Sequence, residues 1–330
     1  MKEPWFWSGE TVAARAVRAG LWPAGEIYRR AQVLRHRATT PAKVEVPVIC
    51  IGNATLGGVG KTPFAIALAK ALRDDFPNAH FLTRGYGGAE PGPIFVDKSR
   101  SAVDVGDEAL LLAQAAPTCV SRDRPAGARA CVAHGADAVI MDDGFQNPTL
   151  RKDVSILLVD QDHRALNGAV FPAGPYREPL ADALARADLL VEIRPATSQP
   201  LLEADLPCFR AALQPTASLP TDRPIVAFSG IGRPERFFTT LTTAGAEIAH
   251  RVAFPDHHRF ATAELDAIRT LAEKCAGRIF TTEKDYVRLS PEEREGISFL
   301  PVAMAIDDAG QFVEEMRRIL LTAEKDRPSA

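Results

Sequence analysis

From residue 44 onward, short continuous apolar runs alternate with stretches of helical spacing. "VEVPVICIGN" (44–53) is a β-branched run ending in Gly-Asn, and "PFAIALAKAL" (63–72) follows with Phe64, Leu68 and Leu72 on one side. That order predicts strand, loop, helix. Further strands are predicted at "AHFLT" (79–83), "CVSR" (119–122), "DAVIMDD" (137–143), "VSILLVD" (154–160) and "ADLLVEI" (187–193). Helical patterns lie between several of them, notably at 106–116 and 125–135. Uninterrupted apolar strands alternating with helices predict an α/β fold: a mostly parallel sheet with helices on both faces.

"LQPTASLPTDRP" (213–224) is rich in Pro, Ser and Thr and reads as a linker. Beyond it, "IVAFSGIG" and "RIFTTEKD" are two more strand-then-loop signals. The expected organisation is therefore a main domain over 44–212, a linker over 213–224 and a smaller C-terminal α/β domain over 225–330. Residues 1–43 stand apart. Val12, Ala16, Ala19 and Leu21 predict a helix with one apolar face, and Pro23 is expected to break it before a second helix at Ile27 to Leu34.

Composition narrows the picture. The chain has 330 residues, 46% apolar and 25% charged, as a soluble globular protein has. A net charge of −3 gives no reason to expect a nucleic-acid partner. The five cysteines lie far apart, without metal-ligand spacing, which points to a reducing compartment. No apolar stretch reaches the roughly 18 residues needed to cross a bilayer, and the N-terminus does not read as a signal peptide. Residues 1–43 nevertheless hold all three tryptophans, with eight Lys and Arg against three Glu. Trp beside Arg on a short helix fits a membrane-facing segment, and it equally fits a helix pair packed on the main domain.

The chemistry centres on "GNATLGGVGKTPF" (52–64). A phosphate-binding P-loop reads G-x-x-x-x-G-K-[ST]. Here Gly60, Lys61 and Thr62 match its end, Thr55 stands at the first glycine, and Gly57 and Gly58 precede Val59. Backbone N–H groups of such a loop, and of the helix after it, bind phosphate. Lys61 is then placed for the β- and γ-phosphates and Thr62 for Mg²⁺ of a bound ATP. "DAVIMDDGFQ" ends a strand with Asp142 and Asp143, carboxylates of the kind that orient the metal.

A P-loop admits a nucleotide-driven switch, a synthetase or a kinase. Membrane-bound regulatory ATPases with a related loop carry an extra lysine at the position of Leu56, which weakens the switch reading. Groups able to bind or deprotonate an acceptor sit in loops at strand ends, where such folds place ligands. They are Arg84 and Tyr86 in "TRGYGG", Asp107 and Glu108 in "GDE", Arg124 in "SRDR", Arg177 and Glu178 in "YREP", and Asp256, His257 and His258 in "FPDHHRF".

In this order, "GNATLGGVGKTP", "LTRGYGG", "GDEALLLA", "DDGFQ", "GPYREP", "FSGIGRPERFF", "FPDHHRF" and "TTEKDYVRL" resemble the tetraacyldisaccharide 4'-kinases, the lipid A 4'-kinases of Gram-negative bacteria. The matches run from about residue 44 to 290. The resemblance implies transfer of the ATP γ-phosphate, with Mg²⁺, to the 4'-hydroxyl of a tetraacylated glucosamine disaccharide 1-phosphate. It implies Asp107 as catalytic base, His257 as its partner, and Asp142 and Asp143 at the metal. It places Gln146, Tyr86, Glu108, Arg124, Arg177 and Glu178 in motifs lining the site. The match of "TTEKDYVRL" also admits a purely structural reading, in which Lys284 and Asp285 pair with each other. A lipid substrate also favours residues 1–43 as an amphipathic membrane-facing segment, on a protein peripheral to the cytoplasmic face of the inner membrane. No obligate protein partner is expected. Because His257 lies beyond the linker, its partnership with Asp107 requires the two domains to close on ATP.

Overall fold

The computed structural model describes residues 4–160, 168–194, 204–220 and 222–325. Lys2 and Glu3 of the basic N-terminal stretch and Thr221 of the linker lie outside them. Thirteen strands are described: β1 Val48–Asn53, β2 His80–Thr83, β3 Ile94–Phe95, β4 Thr118–Val120, β5 Val139–Asp142, β6 Val154–Asp160, β7 Leu189–Ile193, β8 Cys208–Pro215, β9 Ile225–Ser229, β10 Ile248–Ala253, β11 Arg278–Thr282, β12 Ile297–Leu300 and β13 Val302–Ile306. They form a nine-stranded sheet in the order β13-β8-β7-β6-β1-β5-β2-β4-β3 and a four-stranded sheet in the order β10-β9-β11-β12. The large sheet is parallel from β8 to β4, and only its edge strands β13 and β3 run antiparallel. The small sheet is parallel throughout.

All six residues of β1 are buried, as a central strand covered on both faces requires. On one face Ile49, Ile51, Ile140, Ile156 and Val191 pack against Phe64 and Leu68 of the helix Lys61–Ala71 and against Phe312 and Met316. On the other, Val48, Cys50, Val139, Met141 and Leu157 pack against Ala128 and Cys131 of the helix Arg124–Ala133. Gly52 lets the chain after β5 cross β1 closely, since a Cβ there would lie 2.4 Å from the Phe145 Cβ.

The domain limits differ from the sequence expectation. Residues 213–215 are the end of β8 rather than linker. The C-terminal lobe does not run to the chain's end either. β13 pairs with β8, and the helix Ala309–Lys325 places Phe312, Met316 and Ile319 in the core of the large sheet. A strand followed by an amphipathic helix reads the same in sequence whichever sheet it joins. Non-local pairing decides, and here it returns the chain to the first lobe.

Pro23 does not break the N-terminal helix, which runs unbroken over Val12–Ala38 after a short turn of helix at Trp5–Ser8. One missing backbone hydrogen bond is outweighed by packing on residues 170–172. Gly25 lies against the Val170 carbonyl, where a Cβ would come within 3.1 Å of the oxygen. The Trp7 indole donates to the Pro172 carbonyl at 3.1 Å. The lobes also meet away from the site. Asp160, at the end of β6, is buried against Arg236 at 2.7 Å and Arg233 at 3.3 Å from the second lobe.

Candidate active site

The loop between β1 and its helix delivers the first half of the site. Gly60 has φ +85°, a left-handed conformation that side chains resist, and it opens the helix at Lys61. Lys61 Nζ donates to Asn53 Oδ1 at 3.1 Å and lies 3.6 Å from Asp143 Oδ1. Asn53 in turn donates to the Thr55 carbonyl at 2.7 Å and to its hydroxyl at 3.1 Å. Asn53 thus fixes both ends of the loop. Gly57, with φ +104°, and exposed Gly58 form the open side of the loop, whereas Val59 turns into the core.

β5 runs alongside β1 and ends at Asp142, so its carboxylates arrive beside the loop. Thr62 Oγ1 donates to Asp142 Oδ2 at 3.0 Å. The other oxygen, Oδ1, is buried with no hydrogen-bond partner among the described residues. Burial, with Glu108 nearby, pushes the Asp142 carboxyl up to about 7. Asp143, at φ +53°, behaves oppositely. Burial opposes its ionisation, but Lys61, Arg177 and Arg124 outweigh that and hold it down at about 2. A hydroxyl, an unpartnered buried carboxylate oxygen and a second, ionised carboxylate form a hard oxygen donor set, which fits a divalent cation such as Mg²⁺.

Around this core the structure brings together most of the residues expected to line the site. Arg177 Nη1 lies 3.3 Å from Asp143 Oδ1 and donates to Gln146 Oε1 at 3.4 Å. Gln146 Nε2 bridges the Asn53 carbonyl at 2.8 Å and Glu178 Oε1 at 3.0 Å. Glu178 is fixed from behind by Arg186 at 2.6 Å. Arg124 is buried at the start of its helix, with Nη1 on the Ser121 carbonyl at 2.5 Å and Nε without a partner among the described residues.

The second half of the site is built across the lobes. Asp107 begins the short helix Asp107–Ala113 and is almost fully buried. Its Oδ1 accepts from the Glu108 N–H at 2.9 Å. Its Oδ2 accepts from His257 Nδ1 at 3.1 Å, from Arg288 Nε at 2.7 Å and from Arg288 Nη2. Lys284 Nζ lies 4.0 Å from the same oxygen and 3.0 Å from Glu108 Oε1. Burial works against ionisation of Asp107. The His257 hydrogen bond and the charges of Lys284 and Arg288 overcome it, holding the carboxyl well below the usual carboxylate range. The exposed Tyr86 ring meets the His257 ring edge-on, with centroids 5.1 Å apart. The two halves adjoin, because the helix that Lys61 opens packs against the helix that Asp107 begins.

Four features differ from the sequence reading or were absent from it. Lys284 and Asp285 do not pair with each other. Lys284 serves Glu108, and Asp285 holds Arg288 Nη1 at 2.6 Å while accepting from Thr282, Ser229 and the Gly230 N–H. His258 turns away from His257, bonds Glu264 at 2.8 Å and stacks on Phe254. Arg288 and Asn53 were not singled out. Asn53 closes the strand before the loop, a position where a signal existed. Arg288 lies in a quoted motif, but only the fold shows that it crosses to Asp107.

A glycine loop that presents a lysine and a threonine to strand-end carboxylates, faced by a carboxylate–histidine pair, defines a P-loop phosphotransfer protein in two lobes. The model of the LpxK family, tetraacyldisaccharide-1-P 4'-kinase, matches residues 17–321. A tetraacyldisaccharide 4'-kinase from Rhodospirillum centenum is 44% identical over 338 residues, covering 100% of both chains. Another from Methylobacterium nodulans is 47% identical over 313 residues, covering 92% of this chain and 91% of its own. Among solved structures, the ATP complex of an "apo" form of LpxK from Aquifex aeolicus superposes with a TM-score of 0.77. It is 26% identical and covers 92% of this chain and 99% of its own. The chain belongs to the tetraacyldisaccharide-1-P 4'-kinase family.

Proposed function

We propose that this protein is a lipid kinase, transferring the γ-phosphoryl group of ATP to the 4'-hydroxyl of a tetraacylated glucosamine disaccharide 1-phosphate. The observation that carries this beyond family membership is the contact of Asp107 with His257 at 3.1 Å across the lobes, with Asp107 on a helix that packs against the one Lys61 opens. A nucleotide switch needs no such pair, whereas an acceptor hydroxyl must lose a proton. In the reaction the sugar oxygen forms a bond to the γ-phosphorus and the bond to the β–γ bridging oxygen breaks. ADP leaves, and the hydroxyl proton passes to the Asp107–His257 pair. Lys61 and the loop's N–H groups hold the β- and γ-phosphates, with Arg177 and Arg124 placed to offset charge on the moving group. Thr62, Asp142 and Asp143 would hold Mg²⁺, which supplies further charge neutralisation on the phosphates. Tyr86, Glu108, Gln146 and Glu178 line the acceptor side.

The experiment is transfer of label from γ-labelled ATP to tetraacyldisaccharide 1-phosphate in detergent micelles with Mg²⁺. A labelled lipid product is expected. ATP hydrolysis stimulated by bare membranes, with no lipid product, would establish the switch instead.

We further infer that the N-terminal helix lies on a membrane, on the cytoplasmic side of the inner membrane where such a substrate is presented. No helix among the described residues is long and apolar enough to cross one. Ala14 and Gly25 are buried, while Val12, Ile27 and Leu34 are at least 66% exposed. At roughly 100° per residue the two sets fall on opposite sides of the helix, and Arg30 and Arg37 flank the exposed stripe. Trp5, on the short helix before it, and Trp22 are exposed as well. The packed face supports a helix docked on the main domain, and the exposed face supports the membrane-facing segment. Replacing Trp5, Trp22, Ile27 and Leu34 together by Ser is expected to abolish sedimentation with vesicles containing anionic lipid. Unchanged sedimentation would refute membrane binding through this face.

A further inference from the structure

Arg288 makes more connections at the lobe boundary than any role as a surface charge requires. Its side chain is buried, 7% exposed. Nε and Nη2 form a fork on Asp107 Oδ2. Nη1 reaches back into its own lobe, to Asp285 Oδ1 at 2.6 Å and the Gly230 carbonyl at 2.9 Å. Asp285 is itself fully buried and held by Thr282, Ser229 and the Gly230 N–H, so it cannot shift to follow a displaced partner. The same Gly230 carbonyl accepts from the His257 backbone N–H at 3.0 Å, which helps hold His257 at φ +57°. One guanidinium thus ties together the carboxylate from the first lobe and the backbone that carries the histidine from the second. A planar fork with a third donor at a fixed angle can do this, and a point charge cannot.

The groups facing Asp107 come from every element around it. Glu108 is on its own helix. His257, with Asp256 at 3.8 Å beyond it, comes from the 254–260 loop. Lys284 and Arg288, with Asp285 behind Arg288, come from the segment after β11. Lys284 is shared with Glu108, which it approaches more closely, so Arg288 is the cation most committed to Asp107.

We propose that Arg288 is a positioning residue for phosphoryl transfer: it pins Asp107 as an ionised carboxylate in register with His257, so that the pair is assembled and ready to receive the hydroxyl proton. This rests on the kinase reading above. Arg288 touches neither substrate nor nucleotide in this role and acts through Asp107. Without it, only His257 and Lys284 oppose burial, and the carboxyl moves toward the neutral acid, which cannot accept a proton. The sign follows. The Asp107 carboxyl, normally held low, rises when Arg288 is removed, and activity that needs it ionised is then lost at higher pH as the solution is acidified.

The test measures kcat/KM for lipid phosphorylation against pH in the full-length protein and in Arg288→Gln and Arg288→Lys, with ATP affinity measured on each by titration. In Arg288→Gln the acidic limb is expected to move up by one pH unit or more, with kcat at least 10-fold lower at neutral pH and ATP affinity within about threefold of wild type. Arg288→Lys keeps a charge but cannot reach Asp107 and Asp285 together. It is expected to show a smaller upward shift and partial recovery of kcat, and it decides the matter alone if the Gln variant does not fold. A loss of kcat uniform in pH, with the limb unmoved in both variants, would show that Arg288 only supports the fold. Absence of lipid product with wild type would overturn the kinase reading and the role of Arg288 with it.

Discussion

Asp107→Asn is expected to lower kcat for lipid phosphorylation by about 10²- to 10⁴-fold, the range for a positioned acid–base group, while ATP affinity stays within a few-fold. Asn keeps the shape of Asp and one acceptor oxygen, so the helix start and the Glu108 N–H contact survive better than with Ala. What it lacks is the charge that meets His257 and the Arg288 fork. The contacts of the proposed nucleotide half run among Asn53, Thr55, Lys61, Thr62 and Asp142 rather than through Asp107, so it should bind ATP as before. The variant also leaves Lys284 and Arg288 facing each other with less negative charge between them, which loosens the lobe contact. Its melting temperature should therefore fall modestly. Kinetics and melting curves on the same samples separate the two effects. A kcat within threefold of wild type in a folded variant would remove Asp107 from the chemistry.

How much of this was readable beforehand divides along a physical line. Local order was legible. The strand, loop and helix around Lys61, and the strand ending in Asp142, carry their chemistry in a few adjacent residues whose spacing the backbone geometry dictates. The parallel sheet was legible too, because strands buried on both faces must be continuously apolar. Sheet membership at the edge was not. β8 is half exposed, so its apolar run is diluted, and β13 joins β8 across almost a hundred residues. Pro23 was read for its local effect alone, and the packing of Gly25 and Trp7 on residues 170–172 overrides that effect. The least legible feature was the cationic cage around Asp107. His257, Lys284 and Arg288 are 150 to 181 positions away in the chain, and nothing in their neighbourhoods says which carboxylate they serve. The Lys284–Asp285 pair failed for the same reason. Adjacent opposite charges suggest each other in sequence, but the turn points them to different lobes.

Lys61→Met is the complementary change and should strike binding and chemistry together. Met keeps the length of the side chain and its apolar packing, and removes the ammonium group. That group is held 3.1 Å from Asn53 Oδ1 and is only 10% exposed, so it is aimed before any phosphate arrives. Preorganised charge of this kind, placed where negative charge moves in the transition state, is worth roughly 10²- to 10³-fold in kcat. If Lys61 meets the phosphates in the ground state as proposed, ATP affinity should weaken as well, by about tenfold, unlike in Asp107→Asn. Arg at this position should not rescue, since its fork is too wide for a site that closes on Asn53 and Asp143. Asp143 retains Arg177 at 3.3 Å, with Arg124 nearby, so the β5 end should keep its conformation and the protein its fold. Steady-state kinetics with saturating lipid checks this. A rise in KM for ATP with kcat intact would confine Lys61 to ground-state binding and leave the transition-state charge to Arg177, Arg124 and the metal site.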